Sequence, residues 1–306
     1  MKKQPIFNFW NYLAPKHWLT WIGLGFMRLL ALLPNRIQYA LSHVLAKIYF
    51  RMDKRRRHIA EVNLTLCFPD KTPQQRNELL RKTFHSTTMG LFETINAWWA
   101  SDKRLKKLVE IKGLEHIDVA YKNNKGILMI GAHYTTVQLS GRLISLFRDD
   151  IQPFYKKAHN RLFEAVMTRI RNRTYKRVIE NKSITELVET LKENNICWYA
   201  PDQDFGKEAT VFSHFFNVPA ACLVVPGVLA RITNATVLSM YSQRLDNGKY
   251  LVEIAPLDEK FPAENNVASA TVLNRTLEKN ILRAPDQYLW LHRRFKTRPP
   301  GEDNVY

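Results

Sequence analysis

Residues 126–146 read GILMIGAHYTTVQLSGRLISL. Ile127 to Ile130 is a short apolar run, entered at Gly126 and stopped at Gly131, which predicts a buried strand. From Thr135 onward Val137, Leu139, Leu143, Ile144 and Leu146 follow approximate helical spacing, which predicts a helix. His133 therefore falls on the strand-to-helix turn. In an open α/β sheet that turn is where reactive groups are presented, at the carboxyl end of a strand beside unpaired helix N–H groups.

Working outward, the same alternation recurs. Ile151–Tyr155 and Ile196–Ala200 read as strands, and Ser183–Glu193 between them as a helix. Ala221–Ile232 reads as a helix, Val237–Tyr241 and Tyr250–Ile254 as strands around an Asp246-Asn247-Gly248 turn, and Ala268–Arg283 as a helix. Residues 54–100 look helical, with Thr72-Pro73 as an N-cap and a first-turn proline. This order predicts an α/β fold with a mixed, mostly parallel sheet flanked by helices. Towards the amino terminus, Trp18–Leu33 (WLTWIGLGFMRLLALL) is apolar apart from Thr20 and Arg28. It is close to the shortest length that spans a bilayer, about 17 residues. Ile37–Phe50 is amphipathic, with Ile37, Leu41, Val44, Leu45 and Ile48 on one face. Tryptophans 10, 18 and 21 are placed as interfacial anchors. Residues 1–50 are thus expected to form an N-terminal membrane anchor, through a helix that spans or lies in the interface, and residues 51–306 the main domain.

The 306 residues carry a formal net charge of +18, which points to anionic partners. The charge is clustered. Residues 1–57 hold eleven Lys and Arg against one acid, Asp53, and residues 155–182 hold nine against two. Residues 290–300 add four more with no acid. A basic run behind apolar helices suits an anionic membrane surface. No nucleic-acid motif accompanies the charge, so nucleic acid is not an expected partner. Cys67, Cys197 and Cys222 are odd in number and lack metal spacing, as expected of reduced, buried thiols.

The chemistry-bearing residues narrow the reading further. There is no HExxH, paired CxxC, Walker, dinucleotide or GxSxG pattern. Asp202 and Asp204 form a DxD without a phosphate-cradling glycine loop, so neither a metal nor a cofactor is expected. His133 is a candidate general base, because imidazole accepts protons near neutral pH. Such a base needs a carboxylate at its other nitrogen to set the tautomer and stabilise the imidazolium. Five residues on stands Gln138.

GAHYTTVQLSGR at 131–142, WYAPDQDFG at 198–206, VFSHFFNVPAA at 211–221 and APDQYLWLHRRFKTRPPGE at 284–302 resemble the late acyltransferases of lipid A biosynthesis. These look like relatives of the glycerolipid acyltransferases with their H-x4-D/E motif, and the resemblance runs nearly end to end. It implies an enzyme on the cytoplasmic face of a bacterial inner membrane. Such an enzyme moves a fatty acyl group from acyl carrier protein to a hydroxyl on the acyl chains of a Kdo-bearing lipid A precursor. His133 is then the base, and Arg169 on a basic helix the oxyanion stabiliser, with Arg171 and Arg173 as alternatives. Asp202, Gln203 and Asp204 are expected to line the substrate site, the alternative being a loop whose acids cap backbone N–H groups or pair with Arg; His292, Arg293 and Arg294 hold acidic substrate groups or pair with acids in the core. The departure is Gln138, where the family carries Glu or Asp. An amide can still accept a hydrogen bond from His133 but carries no charge, so lowered activity and rescue by Gln138→Glu are expected, unless Asp202 or Asp204 supplies the carboxylate. The alternative reading is an impaired acyltransferase-like protein that only binds lipid or carrier protein.

Overall fold

The computed structural model describes residues 8–155, 157–180 and 184–306. Among the described residues, two short 3-10 turns are followed by five α-helices: α1 (Trp18–Leu30), α2 (Asn35–Met52), α3 (Lys54–Cys67), α4 (Pro73–Trp99) and α5 (Asp102–Lys106). The α/β core then runs β1 (Val109–Lys112), α6 (Leu114–Lys122), β2 (Ile127–Ile130), α7 (Val137–Ile144), β3 (Ile151–Tyr155), α8 (Arg161–Thr174), β4 (Ile179–Glu180), α9 (Ile184–Lys192) and β5 (Ile196–Tyr199). It continues with β6 (Thr210–Phe215), β7 (Val218–Leu223), α10 (Val225–Thr233), β8 (Thr236–Arg244), β9 (Tyr250–Pro256) and α11 (Asn266–Ile281). Ser183, the expected first residue of the fourth core helix, lies outside the described residues, as do Lys156, Lys182 and residues 1–7.

The main sheet has the order β1-β9-β8-β2-β5-β3-β4. Every neighbouring pair is parallel except β8 with β9. β2 lies at its centre and all four of its residues are buried. Leu128 and Ile130 belong to one core cluster and Ile127 and Met129 to the other. Alternate side chains therefore feed the two faces of the sheet, both of which are covered, as parallel sheets require. On one face Trp290, Phe295, α3, α4 and α11 close the core; on the other α6 and α7 do so.

The Thr72 cap is a full capping box: Gln75 N–H donates to Thr72 Oγ1, and Thr72 N–H donates to Gln75 Oε1. The segment 221–232 departs from expectation. Its first residues end β7, and the helix begins only at Val225. β6 and β7 form a separate hairpin, turned at Phe216 and Asn217 with φ of 50° and 62°. A two-residue turn of this hand usually announces itself by Asn-Gly or Asp-Gly; Phe-Asn carries no such signal.

The amino-terminal helices pack in an inverted manner. Gln38, Ser42 and Ala46 are the buried residues of α2. Gln38 donates to Leu30 O, Leu33 O and Asn96 Oδ1, and Asn96 Nδ2 donates back to Gln38 Oε1 at 2.7 Å. Thr88 Oγ1 donates to Ser42 O. The face expected to be apolar is apolar and turned outward: Ile37, Leu41, Val44, Leu45 and Ile48 are 37–56% exposed. Trp18, Leu19, Ile22, Phe26 and Leu29 of α1 are exposed likewise. α1 has 13 residues, which extend about 20 Å, short of the ~30 Å hydrocarbon layer. Among the described residues no helix is long and apolar enough to cross a membrane.

Candidate active site

His133 and Asp202 follow neighbouring parallel strands, so β2 and β5 deliver both to the same edge of the sheet. Gly131 N–H extends the ladder by donating to Tyr199 O. A side chain at Gly131 would collide with the Trp198 indole, its Cβ lying 2.6 Å from Nε1, so the tight exit from β2 requires glycine. The next residues are pinned from outside. Leu289 N–H donates to His133 O, Thr135 N–H donates to Gln287 O, and Tyr134 bridges to Tyr288. The carboxy-terminal segment is thereby laced onto the His133 turn. From a third side α4 comes so close at Gly90 that an added Cβ would lie 2.7 Å from Thr135 O.

Within this frame the His133 imidazole is held by Asp202. Asp202 Oδ2 accepts from His133 N–H at 2.9 Å, and Oδ1 lies 2.7 Å from the ring Nδ1. Asp202 is almost fully enclosed, whereas 30% of the His133 side chain stays open. Burial pushes the Asp202 carboxyl up, but the His133 charge and its hydrogen bonds outweigh it and bring the group down to about 2. Burial likewise pulls His133 down, and the Asp202 carboxylate more than compensates, so the imidazole is raised above the ordinary histidine value. A carboxylate that stays ionised forces the neutral ring to place its proton on Nδ1. Nε2 is then a lone pair with no hydrogen-bond partner among the described residues. This is the arrangement of a general base with its orienting acid.

The structure thus gives the place beside Nδ1 to Asp202. Gln138 is exposed in the first turn of α7. Asp202 is turned to His133, not outward to a ligand. Asp204 also differs from expectation. It is buried and accepts from Gly206 N–H, Thr297 N–H and Thr297 Oγ1, so it clamps two loops and has no surface for substrate. Both acids of the DxD are occupied by protein donors; Gln203 between them is partly exposed. Arg294 is likewise turned inward. At 2% exposure it donates to Ala221 O, reaches Cys222 Sγ and lies over the Phe215 ring, a cation built into the core behind the hairpin. Arg293 sits half-buried against Tyr306. His292 stands beside the dyad, its Nε2 accepting from Asp204 N–H at 3.2 Å. On α8, Arg169 and Arg173 are exposed. Arg171 is not: it pairs with Glu164 and stacks on Tyr155, 3.9 Å from guanidinium to ring centre.

One supporting network has no local signature except its first member. Glu93, a lone acid in the apolar stretch of α4, is fully buried and pairs with Arg244 at 2.6 Å. Arg244 also donates to Ser86 Oγ, and its backbone exchanges two hydrogen bonds with the Gln287 side chain. Gln287 is the residue whose carbonyl receives Thr135. The ion pair therefore braces the His133 turn from behind.

A parallel-strand edge carrying an Asp-oriented histidine, part of which stays open, is equipped for general base chemistry. Comparison with known proteins gives the class: residues 7–297 match the family model of the bacterial lipid A biosynthesis acyltransferases, and the chain belongs to that family. The palmitoleoyltransferase of lipid A biosynthesis from Escherichia coli (strain K12) is 37% identical over 298 residues, 97% of each chain. A lipid A biosynthesis acyltransferase of Shigella flexneri matches with the same figures. The lauroyltransferase of lipid A biosynthesis from Escherichia coli (strain K12) is 36% identical over 296 residues, 96% of each chain. The protein is accordingly an acyltransferase of lipid A biosynthesis.

Proposed function

We propose that this chain moves a fatty acyl group from the thioester of acyl carrier protein to a hydroxyl on the acyl chains of a Kdo-bearing lipid A precursor. The 2.7 Å contact between His133 Nδ1 and Asp202 carries the reading. With Nδ1 donating to Asp202, His133 Nε2 takes the proton of the acceptor hydroxyl. The freed oxygen attacks the thioester carbonyl and forms the new C–O bond, and the carbonyl electrons move onto oxygen. Their return breaks the C–S bond, and the proton on Nε2 passes to the departing sulfur. Asp202 stays ionised throughout and stabilises the transient imidazolium. No metal or nucleotide takes part.

Residues 1–50 are proposed to hold the enzyme on the cytoplasmic face of the bacterial inner membrane. The outward apolar faces of α1 and α2 lie in the interface, while Arg51, Lys54 and Arg55 meet anionic headgroups. The exposed arginines of α8, Arg169 and Arg173, supply positive charge for the acidic carrier or the acidic head of the acceptor. Purified protein in mixed vesicles, given acyl-carrier thioesters and the precursor lipid, should add one acyl chain detectable by mass spectrometry. His133→Ala should lose about 10²–10⁴-fold in rate with its melting temperature kept. Equal rates in the two proteins would remove His133 from the reaction.

A further inference from the structure

The reaction proposed above creates an oxyanion, and the three-residue segment Asp202-Gln203-Asp204 bears on where that charge goes. One end of the segment fixes His133: the Asp202 carboxylate takes Nδ1–H and leaves Nε2 as a bare acceptor. The other end fixes His292 in the opposite sense. The backbone N–H of Asp204 donates to His292 Nε2 at 3.2 Å, so that nitrogen must be unprotonated, and the neutral ring carries its proton on Nδ1. Nδ1–H has no acceptor among the described residues. The two histidines are thus set in complementary tautomers by a single stretch of chain, one to take a proton and one to offer a hydrogen bond.

The backbone of His292 is as firmly placed as its ring. Asn63 Nδ2 donates to both Trp290 O and His292 O, Arg56 donates to Leu291 O, and His292 N–H donates to Leu289 O. Leu289 in turn donates to His133 O at 3.1 Å, so the two histidines share one rigid corner. We propose that His292 is a second catalytic residue, a neutral imidazole whose Nδ1–H stabilises the oxyanion formed when the acceptor oxygen adds to the thioester carbonyl. This inference rests on His133 acting as the base, and it moves the oxyanion role away from Arg169.

The surroundings keep the ring neutral. Burial acts first and lowers its proton affinity; His133 and Arg294 push the same way, Asp202 and Asp204 oppose, and the group settles at about 4. Two neighbouring imidazoles driven in opposite directions is the pattern by which one site divides acid, base and electrophile roles. A neutral donor also avoids placing a second positive charge beside the imidazolium that His133 becomes.

The test compares the full chain with His292→Ala and His292→Asn in steady-state transfer assays, with His133→Ala alongside. Removing one oxyanion donor typically costs about 10²–10³-fold in kcat. His292→Ala should show that loss with KM within about twofold, the margin left when ground-state binding is untouched. His292→Asn, whose side-chain NH2 can reach towards the place of Nδ1–H, should recover part of it at the same melting temperature. The acid limb of the pH profile, set by His133, should stay. Nitrogen-15 spectra of the unaltered protein should show His292 neutral and protonated on Nδ1 between pH 5 and 8. An unchanged kcat, a loss confined to KM, an Asn variant no better than Ala, or an Nε2–H or charged ring would overturn the proposal. Normal turnover in His133→Ala would instead overturn the parent reading of the base.

Discussion

At the scale of single residues, the carboxylate behind His133 is Asp202 and not the residue five positions on. An Asn in place of the buried partner of a catalytic histidine can cost about 10⁴ in turnover, because the amide permits the wrong tautomer and leaves the imidazolium unsupported. Asp202→Asn is expected to lose about 10³–10⁴-fold. The pH profile gives an independent sign. In the proposed mechanism His133 works as a free base, and Asp202 raises its proton affinity against the opposing effect of burial. Activity should therefore fall as pH drops through a value above the ordinary histidine range. With the carboxylate removed, burial acts alone and the limb should move to lower pH; kcat/KM profiles of the two proteins check this. His133 itself was legible in the sequence, since a histidine between a buried strand and a helix is a local pattern. The Asp202 partnership was visible only as one of two alternatives, beside Asp204, because it joins residues that follow two strands which only the sheet makes neighbours. Asp204 and Arg294 left two readings open for a related reason: a charged residue in a motif looks the same whether it faces substrate or is consumed by Thr297 and Ala221 inside the core.

At the scale of elements, α2 shows how far periodicity reaches. Its apolar face was visible in the spacing of Ile37, Leu41, Val44, Leu45 and Ile48, but not the direction in which that face turns. The polar and small residues Gln38, Ser42 and Ala46 pack inward because Asn96 and the Leu30 and Leu33 carbonyls offer hydrogen bonds that water would otherwise supply. If the outer face lies in a bilayer, each fully immersed Val or Ile contributes roughly 1.5–3 kcal/mol. Val44→Glu/Ile48→Glu should then weaken co-sedimentation with anionic vesicles by about tenfold or more, while the melting temperature holds because neither side chain is in the core. Undiminished sedimentation would place the anchoring elsewhere. The contact of α4 with the His133 turn gives a second expectation. Gly90→Ala puts a carbon 2.7 Å from Thr135 O, and a displacement approaching 1 Å at a catalytic group costs on the order of 10²-fold in rate. The strands β2 and β3 were read with their observed limits; β2 is a short apolar run between glycines, while β3 shows as a strand despite Gln152 and Pro153 inside it. The β6–β7 hairpin was not, since its Phe-Asn turn lacks glycine and the alanines of β7 pass for the start of a helix.

At the scale of the whole molecule, the amino-terminal helices, the sheet edge and the carboxy-terminal segment converge on one corner, and a buried ion pair holds them there. Glu93 and Arg244 connect α4 to β8, and through Gln287 to the His133 turn. Removing one partner strands the other charge in a nearly closed site, which typically costs about 3–5 kcal/mol. Glu93→Ala should show a loss of that size in urea unfolding. The proposed chemistry, however, is assigned to three side chains in this frame, His133, its partner Asp202 and His292, and the first two can be separated from everything that merely supports them. The decisive experiment measures turnover of the full chain in vesicles side by side with Asp202→Asn and Gln138→Glu, using acyl-carrier thioester and precursor lipid. The expected result is a fall of about 10³-fold or more for Asp202→Asn and a rate within a few-fold of the unaltered chain for Gln138→Glu. A chain that turns over slowly until Gln138 becomes Glu, and that is indifferent to the loss of the Asp202 charge, would contradict the His133–Asp202 pair as the working dyad.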